Sequence, residues 1–399
     1  MASVRGNQFG GADGAGARAQ ADTPGAGMVA GREGVRRTLL MGRPHHFAGI
    51  SPRSPNPADQ RPKALHSRVD RDLAMRQWHM LAELLISRGF EVLAIAPDKE
   101  HPELALAGAA GILTDLAPKN AVADKVFCCA TSFGKNAELA QVFERTIRGI
   151  GFQTVSLEMP FAGASDFFKC GKRYLFTPGH EPERSILSRV LPGRLAGGSM
   201  VFGSDFRVRE RLSDFVPGFE VKQLRLKDPR FPRGDLAACA LGPERRILMV
   251  YVDAFDDDAR TMILSGKNKV AEYIIPLSDS DAAMYSANAF PYTDTENGHH
   301  IILPAGVSDE LLARLETVGV HPITVDMSEW IKKERGSVRA LLTDLGWIRD
   351  DRRTQTPEIQ DFRKAMRVVV SDPSATAAAG SAATMKAKQG GKTEQVKKA

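Results

Sequence analysis

Residues 325–345 read VDMSEWIKKERGSVRALLTDL. The stretch begins at the end of a short apolar strand predicted at residues 323–325, and a Ser328-Glu329 pair follows. A glycine-containing turn, GSVRA, then leads to Ala340. Ala340 supplies no nucleophile at the end of this turn.

Upstream of this stretch, apolar strands alternate with amphipathic helices. The helical segments have apolar residues three or four positions apart, and glycine or proline follows most segments. The pattern recurs about five times at uneven spacing, which predicts an α/β fold built from strand–helix–strand units. The predicted units are residues 37–42, 70–88 and 90–96; residues 126–130, a helix capped by Asn136, and residues 152–157; residues 174–177 with a helix at about 183–191; residues 247–252 with a helix ending before Gly266; and residues 301–304, a helix capped by Ser308, and residues 323–325.

The two ends of the 399-residue chain differ in composition from its middle. Residues 1–35 are rich in glycine and alanine, and residues 372–399 are rich in alanine and lysine. Both segments are predicted to be disordered tails, because they lack the apolar residues that a packed core requires. The folded region between them is expected to comprise a main domain at residues 36–346 and a helical extension at residues 347–371.

Most of the net charge of the chain lies near its two ends. The formal net charge is +6, of which residues 1–37 carry +2 and residues 372–399 carry +3, which leaves +1 for the rest. Nucleic-acid binding is therefore not expected. No apolar run approaches the length of a membrane span, so no membrane partner is expected either. We expect a cytoplasmic protein with reduced cysteines, and the arginines of the N-terminal tail leave a mitochondrial or other organelle location as the alternative.

Several short motifs occur in a fixed order along the chain. They are MGRPHHF at residues 41–47, QW at 77–78, GFEV at 89–92, Asn288-Ala289, HIILP at 300–304, and residues 315–319. With residues 325–345, they resemble the guanidino-group-modifying enzymes of the pentein superfamily, which include amidinotransferases, arginine deiminases and dimethylarginine dimethylaminohydrolases. The resemblance covers about residues 38–346. It implies a pentein α/β propeller, with about five units around a pseudo-fivefold axis and the active site in a central channel.

The resemblance also implies which residues to compare with the family's chemistry. In that family a cysteine thiolate attacks the guanidinium carbon, a histidine protonates the departing amine, and carboxylates hold the planar cation. Ala340 stands at the cysteine position and Arg233 at the histidine position. Arg233 stays protonated near neutral pH because an arginine pKa lies above about 12, so it cannot donate a proton. No catalytic residue is therefore expected.

Four other positions match residues that bind substrate in the family. Asp235 keeps the acid of a His-x-Asp segment, and Asp166 keeps the acid of a Glu-Gly-x-Asp segment whose glutamate is Ala162. Asp115 matches an early acidic position, and Arg184 matches, one residue late, an arginine that helps to hold the substrate's α-carboxylate. The alternative for each is structural: the acids cap turns or pair with nearby arginines, and Arg184 lies on a helix surface.

Arg233 has a further hypothesis of its own. If its side chain points into the channel, its guanidinium pairs with Asp166 or Asp235 and mimics the ligand. Cys239 follows four residues after Asp235. Its place in the apolar run at residues 236–241 favours a buried structural thiol over a displaced nucleophile.

Metal and cofactor binding are not expected. The adjacent pairs His45-His46 and His299-His300 invite a metal interpretation, but neighbouring residues of a strand point to opposite faces. No cysteine or acidic residue at ligand spacing completes either pair. The resemblance implies no cofactor.

The substitutions at Ala340 and Arg233 favour a catalytically inactive relative of these enzymes, kept as a binding or structural protein. It would bind an arginine-like small molecule through the remaining acids, or protein partners in a larger assembly, and the sequence sets no oligomeric state. The alternative is an active hydrolase or amidinotransferase that acts on a guanidino compound such as arginine or methylarginine through another nucleophile.

Overall fold

The structure, a computed structural model, describes residues 35–47, 69–117, 125–131, 137–179, 203–265, 270–333, 336–349 and 355–369. Within these residues, fifteen strands form five sheets of three strands each. The five sheets confirm the α/β fold of about five units that the sequence predicts.

Each sheet consists of an inner, a middle and an outer strand. In this order the sheets are β15 (Leu342–Arg349), β1 (Val35–Gly42) and β2 (Glu91–Ile95); β3 (Gly111–Leu113), β4 (Phe127–Cys129) and β5 (Thr154–Ser156); β6 (Phe167–Cys170), β7 (Arg173–Phe176) and β8 (Glu220–Gln223); β9 (Ala238–Leu241), β10 (Ile247–Val250) and β11 (Tyr273–Pro276); and β12 (Phe290–Thr293), β13 (His299–Pro304) and β14 (Val320–Val325).

The helices of the described residues begin with side-chain caps in four cases. Asp70, Asp256, Ser278 and Ser308 each accept a hydrogen bond from the backbone N–H three residues on. No helix in these stretches is long and apolar enough to cross a membrane. The helices are α1 (Arg71–Ser87), α2 (Ala137–Ile150), α3 (Val208–Phe215), α4 (Gly234–Ala237), α5 (Asp257–Leu264), α6 (Asp279–Ala283), α7 (Asp309–Thr317), α8 (Ser328–Lys332) and α9 (Pro357–Met366).

All five sheets follow one rule of strand pairing. The middle strand is antiparallel to the inner strand and parallel to the outer strand. The middle and outer strands are joined across a helix, as parallel pairing requires. In the first sheet the inner strand is β15, which comes from the opposite end of the folded chain.

The five sheets form a closed ring. β15 contacts β3, β3 contacts the turn Gly163–Ser165 that leads into β6, β6 contacts β9, and β9 contacts β12. The fifth sheet returns to the first, because β13 contacts the turn Val338–Leu341 that leads into β15. Each sheet therefore touches the next one, which is the arrangement expected around a pseudo-fivefold axis.

Apolar side chains fill the space between the sheets and their crossover helices. In α1, the buried residues Trp78, Leu81 and Leu85 recur three or four positions apart and share a core with Met41 and Val92 of the first sheet. Burial of each such side chain contributes about 1.5–3 kcal/mol relative to an exposed one. The same periodicity that predicts the helix therefore fixes α1 against its sheet.

The helix α9 is fastened to the first sheet by a buried ion cluster. The side chain of Glu91 on β2 is 1% exposed, and its Oε2 accepts from Arg363 Nη2 at 2.7 Å and from Thr38 Oγ1 at 2.9 Å. Arg367 pairs with the other carboxylate oxygen. Backbone bonding continues beyond the helix, since Val368 N donates to Val92 O at 2.9 Å.

Sequence patterns indicated all five middle strands and three outer ones, but none of the inner strands. β3, β6, β9 and β12 contain only three or four residues, which is too short to show a period. The helix predicted at residues 183–191 and the cap predicted at Asn136 lie outside the described residues.

Candidate functional site

Five turns, one of which contains the short helix α4, precede the five inner strands and contact one another in a ring. Asp166, Arg233, Asp235 and Ala340 all lie in these turns. We name this feature the ring of turns; its members are residues 107–110, 163–166, 233–237, 285–289 and 337–341.

The turn before β9 places a buried carboxylate beside a guanidinium. The side chain of Asp235 is 1% exposed, and its Oδ1 accepts from Arg233 Nε at 3.1 Å. The side chain of Arg233 is 24% exposed. Burial acts to lower the pKa of Arg233, but the charges of Asp235 and Asp166 outweigh burial and raise this pKa above its usual value. Arg233 therefore pairs with one of the two acids that the sequence suggested.

Asn288 joins three of the five turns. Its Nδ2 donates to Asp235 Oδ2 at 3.0 Å, so both oxygens of that carboxylate have a partner. Its Oδ1 accepts from the backbone N–H groups of Ser337 at 2.7 Å and Ala340 at 3.0 Å. The amide of Asn288 thus positions the Asp235 carboxylate relative to the turn that ends at Ala340.

Asp166 ties the turn before β6 to the turn before β9. It is fully buried, and its Oδ1 accepts from Gly234 N at 3.1 Å. Its Oδ2 accepts from the backbone N–H of Ser204 at 2.7 Å and from the Ser204 hydroxyl at 2.9 Å. Burial raises the pKa of Asp166 to about 6, and the charge of Asp235 adds to the rise, while the bonds from Gly234 and Ser204 oppose it. Asp166 is an acceptor that holds backbone groups of two other segments in place.

Two glycines make these close approaches possible. An added Cβ at Gly234 would lie 1.9 Å from Thr177 Oγ1. Gly203 has a φ of 70°, and an added Cβ there would lie 2.6 Å from Asp166 Oδ2. A side chain at either position would displace the groups that surround Asp166.

The turn that ends at Ala340 packs tightly and is buried. Ala340 is 3% exposed, and an added Cβ at Gly108 would lie 2.3 Å from Arg339 O. The side chain of Arg339 crosses to the third sheet, where its Nη2 donates to Ala164 O at 2.9 Å and its guanidinium lies 5.9 Å from the centre of the Phe168 ring. Asn288 therefore links this turn to Asp235 through its bonds to Ala340 N and Asp235 Oδ2.

The structure does not bring Asp115 into the ring of turns. Its carboxylate pairs with Lys125 and accepts from the Tyr174 hydroxyl at 2.7 Å. Burial acts to raise the pKa of Asp115, but these two partners lower it below the usual value. Within the part of the chain that the structure describes, no hydrogen bond or ion pair joins Asp115 to Asp166. Arg184, the other position matched to substrate binding, lies outside the described residues.

All four cysteines of the chain are described, and all four are buried. Burial raises the pKa of Cys128, Cys129 and Cys170 to about 12, and it also raises the pKa of Cys239. A thiol with a raised pKa stays protonated at neutral pH, and the protonated form is a poor nucleophile. Cys239 lies on β9 with its Sγ 3.9 Å from Ala289 O, in agreement with the buried structural thiol expected from the sequence.

Asn288 and Ser204 are site residues that the sequence did not predict. Asn288 belongs to a motif that served only to align the fifth unit. Ser204 is separated from Asp166 by 38 residues, and no local pattern links the two. The hydrogen-bond partners of both residues become visible only in the folded structure, where the turns lie next to one another.

The arrangement is suited to a planar cation. A guanidinium presents several N–H donors in one plane and matches a carboxylate better than a point charge does. The buried Asp235 already holds such a group, that of Arg233. In the described ranges, no group of three histidine, cysteine, aspartate or glutamate side chains is arranged to hold a metal ion.

Among the comparisons with known proteins, only the one with solved structures finds similar proteins. A scan of protein-family models and a search of curated proteins give no match. The N-terminal domain of ArgZ, an arginine dihydrolase from the ornithine–ammonia cycle in cyanobacteria, was solved bound to substrate. It has a TM-score of 0.60 and 20% identity, over 78% of this chain and 98% of its own.

Two further structures show the same likeness. AgrE, solved as a cysteine-to-alanine variant with L-arginine, has a TM-score of 0.60 and 22% identity over 78% of this chain, which spans 40% of the length of AgrE. A dimethylarginine dimethylaminohydrolase, solved as an adduct with S-methyl-L-thiocitrulline, has a TM-score of 0.51 and 13% identity, over 77% of this chain and 99% of its own. With the ring of five three-stranded sheets, these likenesses show that the chain has the pentein fold.

Proposed function

We propose that this protein binds guanidino compounds of the arginine class at Asp235. The observation that carries the proposal is the buried carboxylate of Asp235, which is fixed by Asn288 on one oxygen and holds a guanidinium on the other. A carboxylate fixed in this way before the ligand arrives loses little freedom on binding.

In this proposal the ligand's guanidinium takes the place of Arg233. Only one donor of Arg233, its Nε, bonds to Asp235, and the partial exposure of the side chain leaves it a route to solvent. The buried Asp235 stays in position, because its bond to Asn288 does not depend on Arg233. The ligand therefore exchanges one guanidinium for another and leaves no buried charge without a partner.

The solved structures of similar fold support a ligand of this class. ArgZ is described as an arginine dihydrolase, and AgrE was solved in complex with L-arginine as a cysteine-to-alanine variant. A protein of this fold can therefore hold arginine after a cysteine has been replaced by alanine. This chain has Ala340 where the resemblance expects the nucleophilic cysteine, so the absence of a thiol there is compatible with binding.

A bound guanidino compound has two candidate fates. In the first, the protein is inactive, as the sequence favours, and holds the compound without reaction. The four buried cysteines support this candidate, because their raised pKa values make them poor nucleophiles. The second is turnover by an active hydrolase or amidinotransferase with a different nucleophile. The neighbours named as dihydrolase and dimethylaminohydrolase favour this second candidate over the first. Both candidates require the same guanidinium site.

Binding is tested by calorimetry on the purified full-length chain with arginine, agmatine and methylarginine, and with citrulline and lysine as ligands that lack a guanidinium. The guanidino compounds should bind and the other two should not. Asp235→Asn should weaken binding at least tenfold, because it removes the negative charge, at about 1.4 kcal/mol per factor of ten. Asp253→Asn, at an exposed carboxylate, is the matched control. No binding of any guanidino compound by the wild type would refute the proposal.

Turnover is tested separately, by incubation with the same compounds while citrulline, ornithine and ammonia are measured. Product formation that is lost in Asp235→Asn and retained in Cys239→Ser would establish the active candidate with a nucleophile other than that thiol. Binding without product would establish the inactive one.

A further inference from the structure

A second charged cluster lies further along the inner strands than the ring of turns. Arg37 of β1 pairs with Asp344 of β15, with its Nη2 2.6 Å from Asp344 Oδ2. Arg245 extends from the turn after β9, and its Nη1 donates to Ala240 O at 2.9 Å and its Nη2 to Pro291 O at 3.2 Å. Besides burial, the charges of Arg37 and Asp344 act on the pKa of Arg245, which places these groups near one another.

The backbone at Arg245 is held in an unfavourable conformation. Glu244 and Arg245 have φ values of 48° and 60°, in the left-handed region that side chains other than glycine rarely adopt. Such strain persists where the surrounding structure requires it. Here it turns the Arg245 side chain inward to β9 and β12, whereas the adjacent Arg246 pairs with Glu244 and Glu272 at the surface.

Arg245 has no carboxylate partner among the described residues. Its two bonds go to backbone carbonyls, and Asp344, the acid of this cluster, is bonded by Arg37 and by the backbone N–H of Gly346 at 2.9 Å. Arg339 also acts on Arg245 through its charge, so three positive charges, those of Arg37, Arg245 and Arg339, lie near the one negative charge of Asp344. Burial lowers the pKa of Arg245 to about 10, in agreement with a guanidinium withdrawn from water.

A partly desolvated positive charge is costly unless an opposite charge compensates it. A guanidinium has five N–H donors in a planar fork, and the two carbonyls account for two donors of Arg245. We propose that Arg245 forms an anion-binding site for a small oxyanion or carboxylate, which completes the donors of Arg245 and balances the charge beside Arg37.

This anion site is distinct from the proposed guanidinium site. Asp235 precedes β9 and Arg245 follows it, so the four residues of that strand separate the two. The ligands have opposite charge as well: Asp235 is a carboxylate for a cation, and Arg245 is a cation for an anion. The anion site does not depend on whether a guanidino compound binds.

The test is thermal unfolding of the full-length chain in increasing phosphate or acetate, at constant ionic strength balanced with a bulky sulfonate buffer. Either anion should raise the unfolding midpoint saturably, by about 2–4 °C at high occupancy. Arg245→Met should abolish the saturable rise, and Arg246→Met should retain it. A difference between the two anions distinguishes an oxyanion site from a carboxylate site.

Arg245→Lys provides a second test if Arg245→Met does not fold. Lysine keeps the charge but loses the planar fork, so the anion concentration at half-saturation should increase about tenfold. A midpoint that rises without saturation, equally in the wild type and in all variants, would be a general salt effect and would overturn the proposal. The same conclusion would follow from an Arg245→Lys curve identical to that of the wild type.

Discussion

Arg233 is a residue of the chain that occupies the place proposed for the ligand. Its bond to the buried Asp235 joins two charged groups, and such a bond contributes about 1.5–3 kcal/mol net. A ligand has to overcome this contribution before it can bind. Arg233 therefore lowers the apparent affinity for the ligand by a factor equal to the equilibrium constant of its own pairing with Asp235.

Arg233→Ala should raise the affinity for arginine about tenfold to hundredfold, because it removes the competing guanidinium. Isothermal titration of the wild type and the variant measures the difference. Arg230→Ala is the control, since Arg230 lies on the same loop but is paired with Asp228 at the surface. Equal affinities of the wild type and Arg233→Ala would show that Arg233 does not compete with the ligand.

The raised pKa of Asp166 predicts that the free energy of unfolding decreases as the pH rises. Its pKa of about 6 in the folded protein exceeds the value near 4 of an unfolded aspartate, so the folded state binds this proton more tightly. The resulting stabilisation is fully present below pH ~4 and is lost as the pH rises through about 6, and it amounts to the order of 3 kcal/mol.

Urea unfolding of the wild type and Asp166→Asn between pH 4 and 7 tests this expectation. The free energy of unfolding of the wild type should fall relative to that of Asp166→Asn as the pH rises, because only the wild type releases a proton at this position. A difference that stays constant over this range would contradict a raised pKa at Asp166.

The sequence could predict part of the site, because some of its residues lie in recognisable local motifs. Arg233 and Asp235 lie in such a motif and Ala340 ends another, and the structure places all three in the ring of turns. The partner of Asp235 could not be predicted, since Asn288 lies 53 residues away and bonds it only after folding. The assignments of Asp115 and Arg184 to substrate binding stay predictions.

Among the secondary-structure elements, the turns before the inner strands carry the polar contacts, and Asn288 is the residue that three of them share. Asn288→Ala should lower the free energy of unfolding by about 2–4 kcal/mol, because it leaves the backbone N–H groups of Ser337 and Ala340 without their acceptor. Urea unfolding measures the loss. Asn297→Gly, in an exposed turn with a φ of 64°, should change stability by less than about 0.5 kcal/mol. A similar small effect in Asn288→Ala would show that the turns do not depend on this side chain.

Length alone did not decide which elements could be predicted, since β4 and β10 were predicted although they are short, whereas the eight-residue β15 was not. The 17 residues of α1 span several turns, so their apolar period stands out clearly. β9 has four residues, all buried, and such a run has neither a period of two nor a period of 3.6. Its role in the sheet follows from its pairing with β10, which the local sequence does not encode.

At the scale of the whole molecule, α9 adds a segment outside the ring and anchors it through Glu91. Arg363→Met should destabilise the protein by about 3–5 kcal/mol at neutral pH, because it removes a buried positive partner from a buried carboxylate. Lys364→Met, at an exposed position on the same helix, should have little effect. Urea unfolding of both variants against the wild type measures these changes.

The loss of stability caused by Arg363→Met should also depend on pH. Burial acts to raise the pKa of Glu91, but Arg363 and Arg367 lower it below its ordinary value. The stabilisation is therefore present above the pKa of about 4.3 of an unfolded glutamate and is lost as the pH falls through the lower folded value. The cost of Arg363→Met should decrease at pH 3 relative to pH 7, and an equal cost at both values would exclude the ion cluster as its cause.

The fold of the whole molecule was more predictable than its activity. Several motifs in order along the chain specify five similar units, and an error in one motif leaves the rest intact. Activity depends on a few side chains, such as those at positions 233 and 340, and one fold accommodates different chemistry at such positions.

The pairing of β1 with β15 has a consequence for the synthesis of the protein. Arg37 and Asp344 are 307 residues apart, so at roughly 5–20 residues per second the ribosome needs about 15–60 s to make the partner of β1 after β1 itself. During that time β1 can pair with β2, but its other edge stays open. An open apolar edge of this kind is a site of aggregation in a nascent chain. A chaperone that covers β1 until the last strand emerges would therefore increase the yield of folded protein.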